Sequence, residues 1–160
     1  MLIGLIADTH DHLTQLGRAV QVLNEHKVGF VLHAGDFIAP FALRPLEGLQ
    51  CPWIGVFGNN DGERPGLTKV SLGRIQTDPF ELNLDGRKVV LVHDLGQFDR
   101  QLFIDRGAWL VCSGHTHQAG TSHEGGAQFV NPGEVCGWLY GKSTLALIDT
   151  RSGEVRIQEF

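Results

Sequence analysis

Alternating strand and helix are predicted for the whole 160-residue chain, a mixed α/β domain with helices outside stacked sheets. Three observations lead there. Short apolar runs recur, each closed by a polar or glycine-containing loop, as in strands buried on both faces. Between the first two runs, apolar residues fall at helical spacing. In the second half the pattern turns to alternation broken by Asp-Gly and Ser-Gly pairs, which signals hairpins. With 42% hydrophobic residues, the chain can bury one core but not two separate ones, so residues 1–160 are read as a single domain.

The first run, LIGLIA (2–7), meets Asp8 almost at once and has no basic residues before it. It is therefore a first strand, not a signal peptide or a membrane span. Leu13, Leu16, Val20 and Leu23 then mark a helix, with Asp11 placed to cap it. GFVLHA (29–34) is the second strand, completing a β-α-β opening. A shorter helix is expected over FALRPLEGL, limited by Pro45, before the strand WIGVF (53–57). Residues 62–73 show no commitment and are expected to form a flap. FELNL and RKVVLV meet at Asp85-Gly86 as a hairpin whose second arm carries KVVLVH (88–93). QFDRQLFIDRG reads as a helix stopped by Gly107, AWLVC (108–112) as a strand, and residues 144–160 as a hairpin around Ser152-Gly153.

Thirteen Lys and Arg against eighteen Asp and Glu give a net charge of −5, which excludes a broad basic surface for long nucleic acids. Cys51, Cys112 and Cys136 are odd in number and scattered, fitting neither a disulfide framework nor a CxxC pair. A reducing cytoplasm is the expected compartment, and Cys112 is expected to be a small core residue.

The chemistry sits at the downstream ends of five apolar runs: Asp8-Thr9-His10, Gly35-Asp36, Gly58-Asn59-Asn60-Asp61, His93, and Gly114-His115-Thr116-His117. Singly, each has an ordinary explanation as a turn, a capped loop or a strand-end histidine. Together they would require five accidents at the same position relative to five strands. Ligands in α/β sheets bind outside the carboxyl ends of strands, so the five loops are expected to converge. Asp8, His10, Asp36, Asn59, His93, His115 and His117 exceed what one four- to six-coordinate ion uses, and two ions sharing a bridging carboxylate fit better. Imidazole, carboxylate and carboxamide without thiolate suit Mn²⁺, Fe, Ni²⁺, Co²⁺ or Zn²⁺ with open water positions.

The ordered set D-x-H, G-D, G-N-x-D, H and G-H-x-H resembles the signature of the calcineurin-like metallophosphoesterases, and the chain is similar to their small single-domain bacterial and archaeal phosphodiesterases. The likeness runs from Asp8 to NPGE at 131–134. It implies a four-layer αββα sandwich of two mixed β-sheets flanked by helices, and hydrolysis of a phosphoester, foremost a diester, by a water or hydroxide bridging two divalent ions, Mn²⁺ first among them. It further implies that Asp8, His10 and His117 hold one ion, that Asn59, His93 and His115 hold the other, and that Asp36 bridges them. Asn60, Asp61 and His93 are the candidates nearest the reaction, with Asp61 orienting a ligand or water and Asn60 and His12 as candidate substrate contacts.

Departures from the family pattern bear on specificity. Asn60 stands where many relatives have a histidine, and an amide is not a general acid near neutral pH, so good leaving groups are expected to be preferred, with His12 or solvent as the proton source otherwise. Asp94 and Asp11 add negative charge where relatives usually carry Gly, which would favour diesters over monoesters. Glu134 replaces the Ser of the usual NPGS, and His123 is read as a polar loop residue. A small phosphoester is the expected partner, with no membrane and no DNA or RNA, and self-association is left open. The competing reading is a non-catalytic scaffold resembling the retromer subunit of this fold. A DNA-processing nuclease is disfavoured by the charge and by the lack of room for an accessory domain.

Overall fold

The computed structural model describes residues 1–160 as two sheets packed face to face, with helices on their outer surfaces. Strand β1 (Leu2–Ile6) leads into helix α1 (Leu13–Glu25) and then β2 (Phe30–His33). A 3-10 helix over Pro40–Gly48 follows, then β3 (Trp53–Val56), helix α2 (Arg64–Val70) and β4 (Ile75–Gln76). The second sheet begins with β5 (Phe80–Leu84) and β6 (Arg87–Leu91), passes through helix α3 (Arg100–Asp105), and continues with β7 (Leu110–Cys112), β8 (Gly120–Glu124) and β9 (Ala127–Asn131). The chain then returns to the first sheet with β10 (Thr144–Asp149) and β11 (Val155–Glu159). The sheet orders are β11-β10-β1-β2-β3-β4 and β5-β6-β7-β9-β8.

Both sheets are mixed. β1, β2 and β3 run parallel, as do β6 and β7, while the hairpin partners run antiparallel. Side-chain alternation then builds the layers. On β1, Ile3 and Leu5, with Ala7 beyond, face the second sheet and pack with Val89, Leu91, Leu110 and Cys112. Gly4 and Ile6 face the helical side, where Leu16, Ala19, Val20 and Leu23 of α1 cover them. A Cβ at Gly4 would lie 2.3 Å from the Leu23 side chain, so the glycine sets how closely α1 can approach. On the outer face of the second sheet, Phe103 of α3 packs with Val90, Val92, Val111 and Phe129. Helix, sheet, sheet and helix are the expected four layers, and Cys112 is indeed a buried core residue.

Several local expectations are corrected. Asp11 does not cap α1: it adopts a left-handed backbone (φ 58°), and its carboxylate accepts from the Ala39 backbone N–H, while His12 Nδ1 accepts from Gln15 N. Leu13, counted on the buried face, is 40% exposed. The short helix expected there is present as a 3-10 helix over Pro40–Gly48, opening on Pro40 with Pro45 inside it. The stretch 62–73 is not a flap but contains α2, started by Pro65 and docked through fully buried Leu67. The β8–β9 hairpin escaped notice because every residue of β8 is exposed, leaving no alternation to read.

Candidate functional site

The parallel strands β1, β2, β3, β6 and β7 end on the same edge of the sandwich, and each is followed by candidate ligands. The chain must turn sharply there, and Asp8, His10, Asp36, His115 and His117 all take positive φ. Asp, Asn and His tolerate that conformation better than other side-chain-bearing residues, yet clustering of this kind marks sites where local strain is held by the surrounding structure. Two glycines allow the loops to meet. A Cβ at Gly35 would lie 2.6 Å from His93 Nδ1, and one at Gly58 2.1 Å from Asp36 Oδ1.

The seven candidates gather in one cluster with two lobes. In the first, His10 Nε2 lies 3.3 Å from His117 Nε2 and 3.4 Å from Asp36 Oδ2, and His117 Nε2 lies 3.8 Å from Asp8 Oδ1. In the second, Asn59 Oδ1 sits 2.8 Å from His93 Nε2 and 2.9 Å from His115 Nδ1, and His93 Nε2 lies 3.6 Å from Asp36 Oδ2. Asp36 touches both lobes. Asp8, His10 and His117 form one triad whose donor atoms lie within 4.8 Å of one another, and Asp8, Asp36 and His93 form another.

Tautomers are fixed from behind. His93 Nδ1–H donates to the Ala34 carbonyl at 2.7 Å, and His117 Nδ1–H donates to Glu134 Oε2 at 2.6 Å, so both Nε2 atoms face inward with free lone pairs. Beneath them, fully buried His33 accepts from Gly35 N and points Nε2–H to Thr9 Oγ1, whose hydroxyl donates to the Asp36 carbonyl. Burial holds the His33 pKa well below the usual imidazole range, so it remains a neutral clasp between two site loops.

Electrostatics show what the cluster lacks. Asp8, Asp36, Asp61 and Glu134 are all at most 2% exposed, yet Asp8, Asp36 and Glu134 form ion pairs only with histidines, and Asp61 pairs only with backbone N–H groups. Asp8 Oδ2 is buried without any hydrogen-bond partner. Desolvation, with the Asp36 charge beside it, pushes the Asp8 carboxyl up to about 8. Burial likewise lowers the His10 pKa, favouring the neutral ligand form. An orphaned buried carboxylate oxygen, bare imidazole nitrogens and no protein cation form a donor set that fits divalent metal ions.

The remaining residues singled out in the sequence fall in distinct places. Asn60 Nδ2 donates to Asp36 Oδ2 at 2.8 Å, and its backbone N–H donates to Asp36 Oδ1, so this amide restrains the shared carboxylate. Asp61 Oδ2 accepts from the backbone N–H groups of Asp36 and Gly58, and Oδ1 from Ile38, tying the second and third loops together. Burial raises its carboxyl above the ordinary value. Asp94 Oδ2 stands 3.7 Å from His115 Nε2. His123 lies exposed on edge strand β8, whereas His12 sits beside the first lobe with its ring 5.8 Å from that of Trp138.

Glu134 was visible in the sequence only as a substitution without a role. Its Oε2 accepts from His117 and Cys136, its Oε1 from Tyr140 N at 2.7 Å, and Leu139 N reaches both oxygens. Burial pushes this carboxyl up, but the hydrogen bonds from His117, Tyr140, Leu139 and Cys136 outweigh it and hold the group below its usual range. His117, Glu134 and Cys136 also lie close enough to hold an ion. Glu134 Oε2, however, already accepts from both His117 Nδ1–H and Cys136 Sγ–H, so the three groups satisfy one another through hydrogen bonds. The trio supports the first lobe from behind.

Comparison with known proteins agrees with this arrangement. Residues 1–153 match the calcineurin-like phosphoesterase superfamily domain. A phosphodiesterase of Methanocaldococcus jannaschii is 34% identical over 161 residues, covering 98% of this chain and 97% of its own. The solved structure of an archaeal phosphodiesterase superposes with a TM-score of 0.91 at 33% identity over the whole of both chains. Vacuolar Protein Sorting 29 from Cryptosporidium parvum shares the fold at a TM-score of 0.66 and 20% identity, covering 99% of this chain and 97% of that one.

Proposed function

The chain belongs to the calcineurin-like phosphoesterase superfamily, and from that premise we propose that it is a binuclear metal-dependent phosphodiesterase acting on a small phosphoester. The observation that carries this reading is the two-lobed donor cluster around Asp36, with Asp8 Oδ2 buried and unpaired within it. Asp8, His10 and His117 would hold one ion, Asn59, His93 and His115 the other, and Asp36 would bridge them. Bound ions supply Lewis acidity, acidifying a water and attracting anionic phosphoryl oxygens, and Mn²⁺ is the first candidate.

The chain's own residues supply orientation. Ala34 and Glu134 hold the His93 and His117 rings with Nε2 inward, and Asp61 holds the backbones that carry Asp36 and Asn59. Asn60 holds the Asp36 carboxylate and offers no acid for the leaving group, which supports a preference for esters whose leaving group departs without protonation. Asp94 beside His115 gives the second lobe a negative edge, favouring the single charge of a diester over the double charge of a monoester. No helix is long and apolar enough to cross a membrane, and the three free cysteines support a reducing compartment. The scaffold reading is less favoured, since a binding module does not need seven converging donors.

The test is hydrolysis of bis(p-nitrophenyl) phosphate and p-nitrophenyl phosphate by protein stripped with chelator and then reloaded with Mn²⁺, Ni²⁺ or Zn²⁺. Activity that appears only on reloading and is higher on the diester is expected. A stripped protein that takes up no metal and hydrolyses neither ester refutes the proposal.

A further inference from the structure

The segment Gly137-Trp138-Leu139-Tyr140-Gly141 places three large apolar side chains in solvent beside the first metal lobe. Trp138, Leu139 and Tyr140 are 62%, 67% and 51% exposed. Such contiguous exposure is uncommon on a small domain and marks a contact surface. The loop is also held in shape. Both flanking glycines take positive φ, Glu134 accepts the Leu139 and Tyr140 backbone N–H groups, and Tyr140 Oη accepts from Gln118 Nε2, one residue beyond His117. The carboxylate that orients the His117 imidazole therefore also fixes this loop.

Trp138 has a defined place in that frame. Its indole is backed by His10 at 6.0 Å and His12 at 5.8 Å between ring centroids, tilted 35° and 40°, and most of its surface remains open. His10 is itself a candidate ligand of the first ion. An ester group on a phosphorus bound at this lobe would leave the cluster past the indole, and a flat aromatic group is what an open, preorganised indole face binds well.

We propose that Trp138 is a substrate-recognition platform that stacks an aromatic ester substituent, an aryl group or a nucleobase, of the phosphoester held at the metal centre. This rests on the hydrolase reading above and narrows it to esters carrying an aromatic moiety. Neighbouring Leu139 supplies apolar surface to the same edge of the site.

The experiment is calorimetric titration of the Mn²⁺-loaded protein with inorganic phosphate, methylphosphonate and phenylphosphonate, whose P–C bonds are not hydrolysed, repeated on Trp138→Ala and Trp138→Phe, with metal content and molar mass in solution measured alongside. Wild type should bind phenylphosphonate roughly tenfold more tightly than methylphosphonate, the advantage one aromatic stack supplies. The ratio should fall to about one in Trp138→Ala and be largely restored in Trp138→Phe, at unchanged metal content. Failure to bind any of the three anions, with no hydrolysis of bis(p-nitrophenyl) phosphate by the same preparation, would overturn the hydrolase reading and this one with it. Phosphate binding without a phenyl preference, or a preference that survives in Trp138→Ala, would overturn the platform alone. A dimer that dissociates in Trp138→Ala with ligand ratios unaltered would also overturn it, assigning the surface to self-association.

Discussion

Replacing Glu134 by Gln preserves size and removes one charge, and the structure shows why it should still disable the first lobe. Both carboxylate oxygens are surrounded only by donors: His117 Nδ1–H and Cys136 Sγ–H at Oε2, Tyr140 N–H at Oε1, and Leu139 N–H between them. An amide has one oxygen, so its NH₂ must oppose a donor in either orientation. If the NH₂ faces His117, the imidazole accepts at Nδ1 and carries its proton on Nε2, the atom aimed at Asp8 and His10. If it faces the loop, one or two half-buried N–H groups lose their acceptor, at about 1 kcal/mol each. The histidine also loses a charge-assisted partner, a change that typically lowers metal affinity by about 10- to 100-fold. A chelator-competition titration should show that loss, equal to about 1.4–2.7 kcal/mol at about 1.36 kcal/mol per decade. Thermal unfolding of the metal-free variant should fall by about 2–4 °C for each kcal/mol of lost backbone pairing. Wild-type metal affinity together with an unchanged melting temperature would refute the reasoning.

Three further outcomes are expected. The Asp8 carboxyl is raised from 3.8 to about 8, so in metal-free protein its stabilising protonated form is complete below the lower value and lost as pH climbs through the upper one. Metal needs the ionised form, so the melting-temperature gain from Mn²⁺ should grow between pH 6 and 8, and a gain independent of pH would contradict this. Asp61→Asn leaves at least one of the Asp36, Ile38 and Gly58 N–H groups facing an NH₂, and denaturant unfolding should show a loss of about 1–3 kcal/mol. Asn60→His restores an acid beside the Asp36 carboxylate and should raise kcat for alkyl-leaving diesters relative to aryl-leaving ones; an unchanged ratio would remove the leaving-group explanation.

The layered fold was legible because strands buried on both faces leave continuous apolar runs, as LIGLI at 2–6 and VVLV at 89–92 do, and because Asp85-Gly86 adopts the left-handed turn that a two-residue hairpin requires. Convergence of the seven donors was legible from strand ends alone, since parallel strands deliver their loops to one edge. What escaped was set by contacts distant in sequence. Asp11 is a good cap by residue type, yet it turns away to Ala39, twenty-eight positions on. His33 reads as an ordinary strand residue, and only packing against Phe37 and the Thr9 hydroxyl reveals it as a clasp between loops. Glu134 stood out by residue type, but its partners Tyr140 and His117 lie on either side in the chain, and no local pattern joins them. The exposed tryptophan at 138 gave no periodic signal, because its position matters only relative to His10.

Anomalous diffraction from crystals of the protein soaked with Mn²⁺ tests the central claim most directly. Two peaks are predicted, one among Asp8, His10 and His117, the other among Asn59, His93 and His115, with Asp36 between them. Absence of density at both lobes, or a lone peak at the His117, Glu134 and Cys136 trio, would contradict it.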